Sequence, residues 1–177
     1  FGGKSKYSVL LIINAAKKAL NNGQTHYVQS SGLPELKEVC RELTWLSRGF
    51  KPKDSQILVT SGANIQIYLA VLALLDVGEE VIIPNPSFVS YSSIIKACRG
   101  TPVEVDLSEE DSFKVDPEKI KKLITNKTKA IIINSPHNPT GSVLTENQVK
   151  KIYEIAEEFD LVLISDEVYG RMIFSDS

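Results

Sequence analysis

The sequence predicts an α/β protein in which two layers of helices enclose a mainly parallel sheet. Short runs rich in β-branched residues alternate along the chain with longer runs that have helical spacing. Several of the short runs are almost entirely apolar, as parallel strands are when helices cover both faces of the sheet. The expected architecture is therefore three layers, with the sheet between two layers of helices.

The first part of the chain is predicted to be helical. Residues 9–20 have helical spacing that stops near Gly23, and the polar residues 24–32 form a linker. Pro34 suits the first turn of a second helix. The apolar stripe of this second helix consists of Leu36, Val39, Leu43 and Leu46.

Five runs are predicted to be strands, because they are short, apolar and rich in β-branched residues. They are residues 56–60, 80–84, 102–106, 130–134 and 161–165. Between the first two, residues 63–75 are apolar nearly all round, which predicts a helix buried on most sides and closed by Gly78. A last helix is expected to begin at Thr145, which forms a capping-box pair with Gln148.

Composition argues against several classes of partner. With 20 basic and 22 acidic side chains in 177 residues, the net charge of −2 lacks the basic excess of a nucleic-acid-binding protein. The longest apolar run, residues 67–75, falls well short of the roughly 20 residues that a bilayer span needs. Cys40 and Cys98 make no disulfide framework, and no cluster of metal ligands stands out. We therefore expect a cytoplasmic protein with neither a nucleic-acid nor a membrane partner.

Three of the predicted strands lead directly into polar loops, and in open α/β sheets ligands bind outside the carboxyl ends of the strands. The first loop, residues 60–64, joins a strand to a helix, so its free backbone N–H groups and the helix dipole suit a phosphate. Gly62 would let a ligand approach the backbone closely. The alternative is an ordinary turn, since small residues are common where a strand passes into a helix.

The second loop, residues 134–141, contains two prolines and a glycine and is longer than a strand-to-helix connection requires. The Asn138 amide could donate a hydrogen bond to an anionic oxygen, and the bond to Pro139 is a candidate cis peptide that would orient this amide. The alternative is that the prolines only end the strand before the helix at Thr145.

The third loop, residues 165–169, places the carboxylate of Asp166 directly after an apolar strand. A carboxylate in that position is costly unless it meets a cation or several donors. Either Arg171 forms a structural ion pair with this carboxylate, or a cationic atom of a cofactor does.

Together these segments resemble the class I/II aminotransferases, which are pyridoxal-phosphate enzymes of fold type I. The resemblance is carried, in the order and at the spacing of the family, by residues 60–64, 84–91, 134–141 and 165–169. Tyr27, followed by Gly32 and Leu36, is similar to the family's segment ahead of the large domain. The likeness covers nearly the whole chain.

The resemblance implies that pyridoxal 5′-phosphate is the cofactor. Gly62, Ala63 and Asn64 would hold its phosphate at a helix N-terminus. Phe88 would stack on the pyridine ring. Asp166 would pair with the protonated pyridine nitrogen, which keeps the ring an electron sink.

Three further contacts follow from the same resemblance. Asn138 and Tyr169 would donate to the phenolic oxygen of the cofactor, and Asn138 would also contact the substrate carboxylate. Tyr27 would reach the phosphate bound by the neighbouring subunit, which implies a homodimer.

Other aromatic and imidazole side chains are predicted to have no part in the chemistry. Tyr91 and Tyr153 lie at helical spacings, so they are expected to serve packing. His26 and His137 lack the partners that a catalytic or metal-binding histidine needs.

In the family, the lysine that forms the Schiff base lies downstream of the position matching Asp166, beyond the end of this chain. The lysines present, such as Lys96 and Lys150, match no Schiff-base motif. The resemblance therefore implies an N-terminal helix and linker at residues 1–32 and a partial pyridoxal-phosphate-binding large domain at residues 33–177, without the small domain. We expect this chain to contain no catalytic residue and not to transaminate alone.

Three interpretations of the function remain. The first is an aminotransferase acting on an amino acid and a 2-oxo acid, present as a fragment. The second keeps the fold but not the activity, as a pyridoxal-phosphate lyase or synthase, or as a non-catalytic regulatory or assembly module. The third is an unrelated doubly wound domain that uses Asp166 as a phospho-acceptor or nucleotide ligand, which the absence of a Gly-x-Gly-x-x-Gly motif disfavours.

Overall fold

The computed structural model describes residues 6–173. The chain divides into two compact units, the first ending at Val59 and the second beginning at Thr60. In the described residues the first unit is helical, and the second contains the sheet. The domain boundary placed after residue 32 stays a prediction.

Two helices form most of the first unit, and both were expected from the sequence. They are α1 (Lys6–Asn21) and α2 (Pro34–Arg48). α1 contains the whole helical run predicted at residues 9–20. α2 ends at Gly49, whose N–H donates to the Trp45 carbonyl and whose positive φ of 74° turns the chain out of the helix. Helix spacing and end signals were therefore sufficient to locate both helices.

The strand predicted at residues 56–60 is not formed, so that prediction is wrong. A 3₁₀ turn occupies Asp54–Gln56, and the chain is extended at Ile57. Beyond it, Val59 N–H donates to the Ser31 carbonyl, but the run joins none of the four strands in residues 6–173. An apolar run becomes a strand only when a neighbouring strand completes its hydrogen-bond ladder, and here none does.

The second unit is built on four parallel strands, which confirms the other four strand predictions. They are β1 (Glu80–Asn85), β2 (Thr101–Asp106), β3 (Thr128–Asn134) and β4 (Val162–Asp166). Their order in the sheet is β2-β1-β3-β4. The chain moves outward from β1 to β2 and returns to the other side of β1 as β3, so the winding direction reverses between β1 and β3. A ligand crevice is expected at such a reversal.

Four helices cover the two faces of this sheet, which confirms the three-layer architecture. They are α3 (Ala63–Leu74), α4 (Ser90–Ala97), α5 (Pro117–Leu123) and α6 (Glu146–Glu158). Val81 and Ile83 pack with α3 and α4, whereas Ile82 packs with α5 and α6. Successive strand residues point to opposite faces, so an unbroken apolar run fills both cores. α6 begins with the predicted capping box between Thr145 and Gln148.

α3 is less buried than its sequence predicts. Of its side chains, only those of Ile67 and Val71 are buried, and Leu72 is 51% exposed. One flank of α3 packs on the sheet and α4, but Ala70 on another flank lines an open groove that reaches Ile164 of β4. Within the described part of the second unit nothing covers this flank, so the prediction of burial on most sides is wrong.

Among the helices of residues 6–173, none combines the length and the apolarity that a membrane span requires. Cys40 and Cys98 are both unpaired thiols. Cys98 packs in the core as a small apolar side chain, and burial raises the pKa of its thiol.

Candidate functional site

The ends of three parallel strands and the first turn of α3 surround a cleft that encloses roughly 440 Å³, part of it open to solvent. Six of the residues predicted to bind a cofactor line it, namely Ala63, Asn64, Phe88, Asn138, Asp166 and Tyr169. These residues follow β1, β3 and β4 or begin α3, so the cleft includes the point where the winding reverses. Gly62 lies beside it in a shallower hollow that Asn64 also lines.

Asp166 is the last residue of β4, and hydrogen-bond donors hold both of its carboxylate oxygens. Tyr91 Oη donates to Oδ2 at 2.6 Å, and the Val168 N–H donates to Oδ1 at 3.2 Å. Within residues 6–173 the carboxylate forms no ion pair with Arg171, so that alternative is wrong. The donors that a partly buried carboxylate requires come from a tyrosine and the backbone instead.

Tyr91 has a second function beyond the packing that its position on α4 predicts. The side chain is completely buried, and its ring meets that of Phe88 edge to face with centroids 5.7 Å apart. Burial raises the pKa of Tyr91, and the adjacent Asp166 carboxylate raises it further. Tyr91 therefore keeps its proton and remains a donor to Asp166. The sequence did carry a signal for this contact, because a buried tyrosine hydroxyl and a strand-end carboxylate each require a partner.

Asn138 and Tyr169, which also line the cleft, contact each other. Asn138 Nδ2 lies 3.3 Å from Tyr169 Oη, so two groups able to donate hydrogen bonds stand side by side. The peptide bond between Asn138 and Pro139 is cis, as predicted. Asp166 lines the same cleft, so the lining combines one carboxylate with two neutral donors.

The first turn of α3 offers backbone N–H groups to the cleft. Gly62 is the residue that precedes the helix, and it has no side chain that could cap the first amides of α3. A Cβ atom at Gly62 would meet no other atom of the described chain, which leaves the space beside it open to a ligand. Asn64 Nδ2 donates to Ser90 Oγ at 3.3 Å and ties this turn to α4. An anion such as a phosphate suits this helix N-terminus.

His137 is buried next to Asn138 in the loop after β3. Its Nδ1 atom lies 2.7 Å from Thr140 Oγ1, and its Nε2 atom has no hydrogen-bond partner among the described residues. Burial lowers the pKa of His137, because the charged imidazolium loses its solvation there. The folded loop therefore favours the neutral ring of His137.

We expect the free energy of unfolding to fall as the pH drops below about 6.5, the ordinary pKa of histidine. Because the pKa of His137 is lowered by folding, the unfolded chain binds this proton more readily, and acid favours unfolding. The contribution of this residue is at most about 1.4 kcal/mol per pH unit. Urea unfolding at pH 7.5 and pH 5.5 measures it.

The matched variants are His137→Gln and His26→Gln, since His26 is an exposed histidine of the first unit. His137→Gln should flatten the dependence of stability on pH in this interval, and His26→Gln should not. An unchanged pH dependence in His137→Gln would show that this imidazole makes no titrating contribution.

Tyr27 lies in the first unit and is fully exposed. Its predicted contact with the phosphate of a neighbouring subunit stays a prediction. Among residues 6–173, no group of histidine, cysteine and acidic side chains is arranged to hold a metal ion.

Comparison with known proteins gives a consistent result. The family model described as aminotransferase class I and II matches residues 2–177. The aspartate aminotransferase of Pyrococcus abyssi is 45% identical over 162 residues, which cover 91% of this chain and 42% of that protein. The aspartate aminotransferase of Bacillus subtilis is 43% identical over 163 residues, which cover 92% of this chain and 42% of that protein. The chain thus spans under half the length of these curated relatives.

Solved structures match the fold equally closely. The aromatic aminotransferase of Pyrococcus horikoshii superposes with a TM-score of 0.91 at 43% identity, covering 95% of this chain and 45% of that one. The aspartate aminotransferase of Thermus thermophilus with maleate superposes with a TM-score of 0.90 at 35% identity, covering 94% of this chain and 44% of that one. With its motifs, its three-layer fold and these similarities in agreement, the chain belongs to the class I and II aminotransferases.

Proposed function

We propose that this chain is the N-terminal, cofactor-binding part of a pyridoxal-phosphate-dependent aminotransferase. Such an enzyme transfers an amino group between an amino acid and a 2-oxo acid. The observation that carries the proposal is the placement of Asp166. Its carboxylate is held by two donors in a cleft that Asn138 and Tyr169 also line. The relatives described above bear the names of aminotransferases, which supports amino-group transfer over the lyase and regulatory alternatives.

The groups around the cleft fit pyridoxal phosphate at each of its polar ends. The uncapped first turn of α3, at Gly62, Ala63 and Asn64, would take the phosphate. The carboxylate of Asp166 would take the protonated ring nitrogen. Phe88, which lines the cleft, offers an aromatic surface for the ring.

When bound, pyridoxal phosphate supplies a protonated ring that withdraws electrons from the α-carbon of the substrate. Asp166 would hold the proton on the ring nitrogen, and a hydrogen bond to a charged group contributes about 1.5 to 3 kcal/mol. Asn138 and Tyr169 would donate to the phenolic oxygen, and Asn138 would also contact the substrate carboxylate. No lysine among the described residues lines the cleft. The absence of the Schiff-base lysine from this chain stays a prediction.

The substrate is proposed only as a class. Similar proteins are named as aspartate, aspartate/prephenate, aromatic and alanine aminotransferases. These names have amino-group transfer in common, but they do not point to one substrate side chain. We also propose a homodimer, supported by the full exposure of Tyr27, which would reach the neighbouring phosphate. The two unpaired cysteines support a reducing, cytoplasmic location.

Pyridoxamine 5′-phosphate tests the proposal directly, because it needs no lysine to bind. We expect its fluorescence to change saturably when it is titrated with the chain. Pyridoxamine, which lacks the phosphate, is the matched probe and should bind at least tenfold more weakly if the first turn of α3 holds the phosphate. Equal affinity for both probes would contradict the phosphate site, and no binding of either would contradict the proposed function.

A further inference from the structure

One buried side-chain amide joins two of the residues that line the cleft. Asn134, the last residue of β3, is only 4% exposed. Its Oδ1 atom accepts the backbone N–H of Asn138 at 2.8 Å. Its Nδ2 group donates to the backbone carbonyl of Asp166 at 2.9 Å. A single amide thus connects the loop after β3 to the end of β4.

The two backbone groups that Asn134 contacts lie just beyond the regular sheet. Asn134 and Asp166 are the last paired residues of β3 and β4. The Asn138 N–H is four residues further along, in a loop with prolines on both sides, and prolines donate no hydrogen bond. The backbone hydrogen bonds of the sheet therefore fix Asp166 but not Asn138. The Asn134 side chain supplies the hydrogen bond that holds Asn138 in the loop.

Only an amide of this length makes both contacts. The Asn138 N–H requires an acceptor, and the Asp166 carbonyl, which already accepts the Ser135 N–H at 3.3 Å, has a second lone pair that can accept a further donor. A carboxylate would offer acceptors only, and an aliphatic side chain would offer neither. The nearly complete burial of Asn134 means that water does not readily replace either contact.

We propose that Asn134 is a positioning residue, which fixes the placement of Asn138 relative to Asp166 and so sets the geometry of the cleft. What Asn138 and Asp166 bind rests on the proposed function, whereas the fixed geometry is a property of the chain itself. Asn134 is itself part of the lining of the cleft. In the proposed role it acts through Asn138 and Asp166, the two residues that it holds.

Amide hydrogen exchange measured by NMR tests the fixed geometry without any ligand. In Asn134→Ala the protection factor of the Asn138 amide should fall at least tenfold, because its acceptor is gone. In Asn134→Asp, which is nearly isosteric and keeps an acceptor oxygen, the protection should stay within about threefold of the unmutated chain. Equal loss of protection in both variants, or retained protection in Asn134→Ala, would overturn the proposal. If Asn134→Ala fails to fold, a loss of protection in Asn134→Asp of tenfold or more still overturns the proposal, because this variant keeps the acceptor.

The matched control is Thr128→Ala, at the opposite end of the same strand and roughly 20 Å from Asn134. Thr128 is 5% exposed, and its hydroxyl bonds with Thr125 and Glu80. This variant also removes a buried polar contact of β3, so it should lower the stability of the sheet. It should nevertheless leave the Asn138 protection unchanged relative to neighbouring amides of the loop.

Affinity for pyridoxamine 5′-phosphate tests the consequence for the cleft. Asn134→Ala should weaken binding about 10-fold or more, whereas Thr128→Ala should stay within about twofold despite its loss of stability. Affinity that merely follows stability across the two variants would overturn the positioning role. If the unmutated chain binds none of this probe, the proposed function fails, and the exchange measurements alone decide whether Asn134 fixes the loop.

Discussion

Asp166→Ala is expected to weaken the binding of pyridoxamine 5′-phosphate by about 10- to 100-fold. A hydrogen bond to a charged group contributes about 1.5 to 3 kcal/mol, and each 1.4 kcal/mol corresponds to about a tenfold change in Kd. The substitution removes the carboxylate that would hold the proton on the ring nitrogen. Fluorescence titration of the chain and the variant at the same pH measures the change.

Two further substitutions separate charge from shape. Asp166→Asn keeps an oxygen that can accept from Tyr91 but removes the negative charge, so it should lose most of the affinity while leaving the fold intact. Asp106→Ala is the matched control, because Asp106 ends β2 and accepts from Asn85 without lining the cleft. Asp106→Ala should bind the probe within about twofold of the unmutated chain. If Asp166→Ala does the same, Asp166 is not the partner of the ring nitrogen.

The sheet was predictable because its strands are defined by local pattern. The run at residues 130–134 is apolar at nearly every position, and Ile131 and Ile132 indeed fill opposite cores. A strand that is buried on both faces shows no alternation of apolar and polar residues. It appears in the sequence as an unbroken apolar run of strand length. Such runs are recognised without knowledge of the partner strand.

The wrong predictions for residues 56–60 and for α3 have one physical cause. Each depended on neighbouring segments that the local sequence does not specify. Residues 56–60 have the composition of a strand, but a strand also requires a hydrogen-bonded neighbour. The apolar surface of α3 predicts burial, but in the described chain Leu69 stays 38% exposed and Leu72 51% exposed. The composition of a segment shows which of its side chains could be buried. Whether they are buried depends on the elements that pack against the segment in the folded chain.

The candidate site shows the same division. The polar loops after β3 and β4 could be recognised one at a time, and the ends of parallel strands bring such loops together. The contacts between them could not be read locally. Tyr91 and Asp166 are 75 residues apart in sequence, and the Asn134 side chain reaches the Asp166 carbonyl across 32 residues. The sequence indicates that each of these polar groups requires a hydrogen-bond partner when buried, but many other polar residues could be that partner.

Tyr91→Phe is expected to lower the free energy of unfolding at pH 8 by about 1.5 kcal/mol. The phenyl ring keeps the packing on Phe88, so the change isolates the hydroxyl that donates to Asp166. A hydrogen bond to a charged group contributes about 1.5 to 3 kcal/mol, and the lower end applies because Asp166 is partly exposed. Urea unfolding of both chains measures the difference.

The difference in free energy of unfolding between the unmutated chain and Tyr91→Phe should shrink at high pH. This pH dependence identifies the buried Tyr91 hydroxyl as its source. In the unfolded chain tyrosine ionises with a pKa near 10, whereas burial and the Asp166 carboxylate raise the pKa of Tyr91 in the folded chain. Above about pH 10 the unfolded chain therefore releases a proton that the folded chain retains. The stability that Tyr91 provides is complete below that pH and is lost at about 1.4 kcal/mol per pH unit above it.

Between pH 8 and pH 11 the deficit of Tyr91→Phe should thus fall to about 0.1 kcal/mol, because phenylalanine has no proton to lose. Tyr153→Phe is the control, because it removes the hydroxyl of a tyrosine that is 54% exposed on α6. Its effect on the free energy of unfolding shows how much of the deficit comes from removing any tyrosine hydroxyl. A deficit of Tyr91→Phe that stays constant over this interval would mean that folding does not hold the Tyr91 proton. Asp166 would then lack the donor that fixes its carboxylate toward the ring nitrogen.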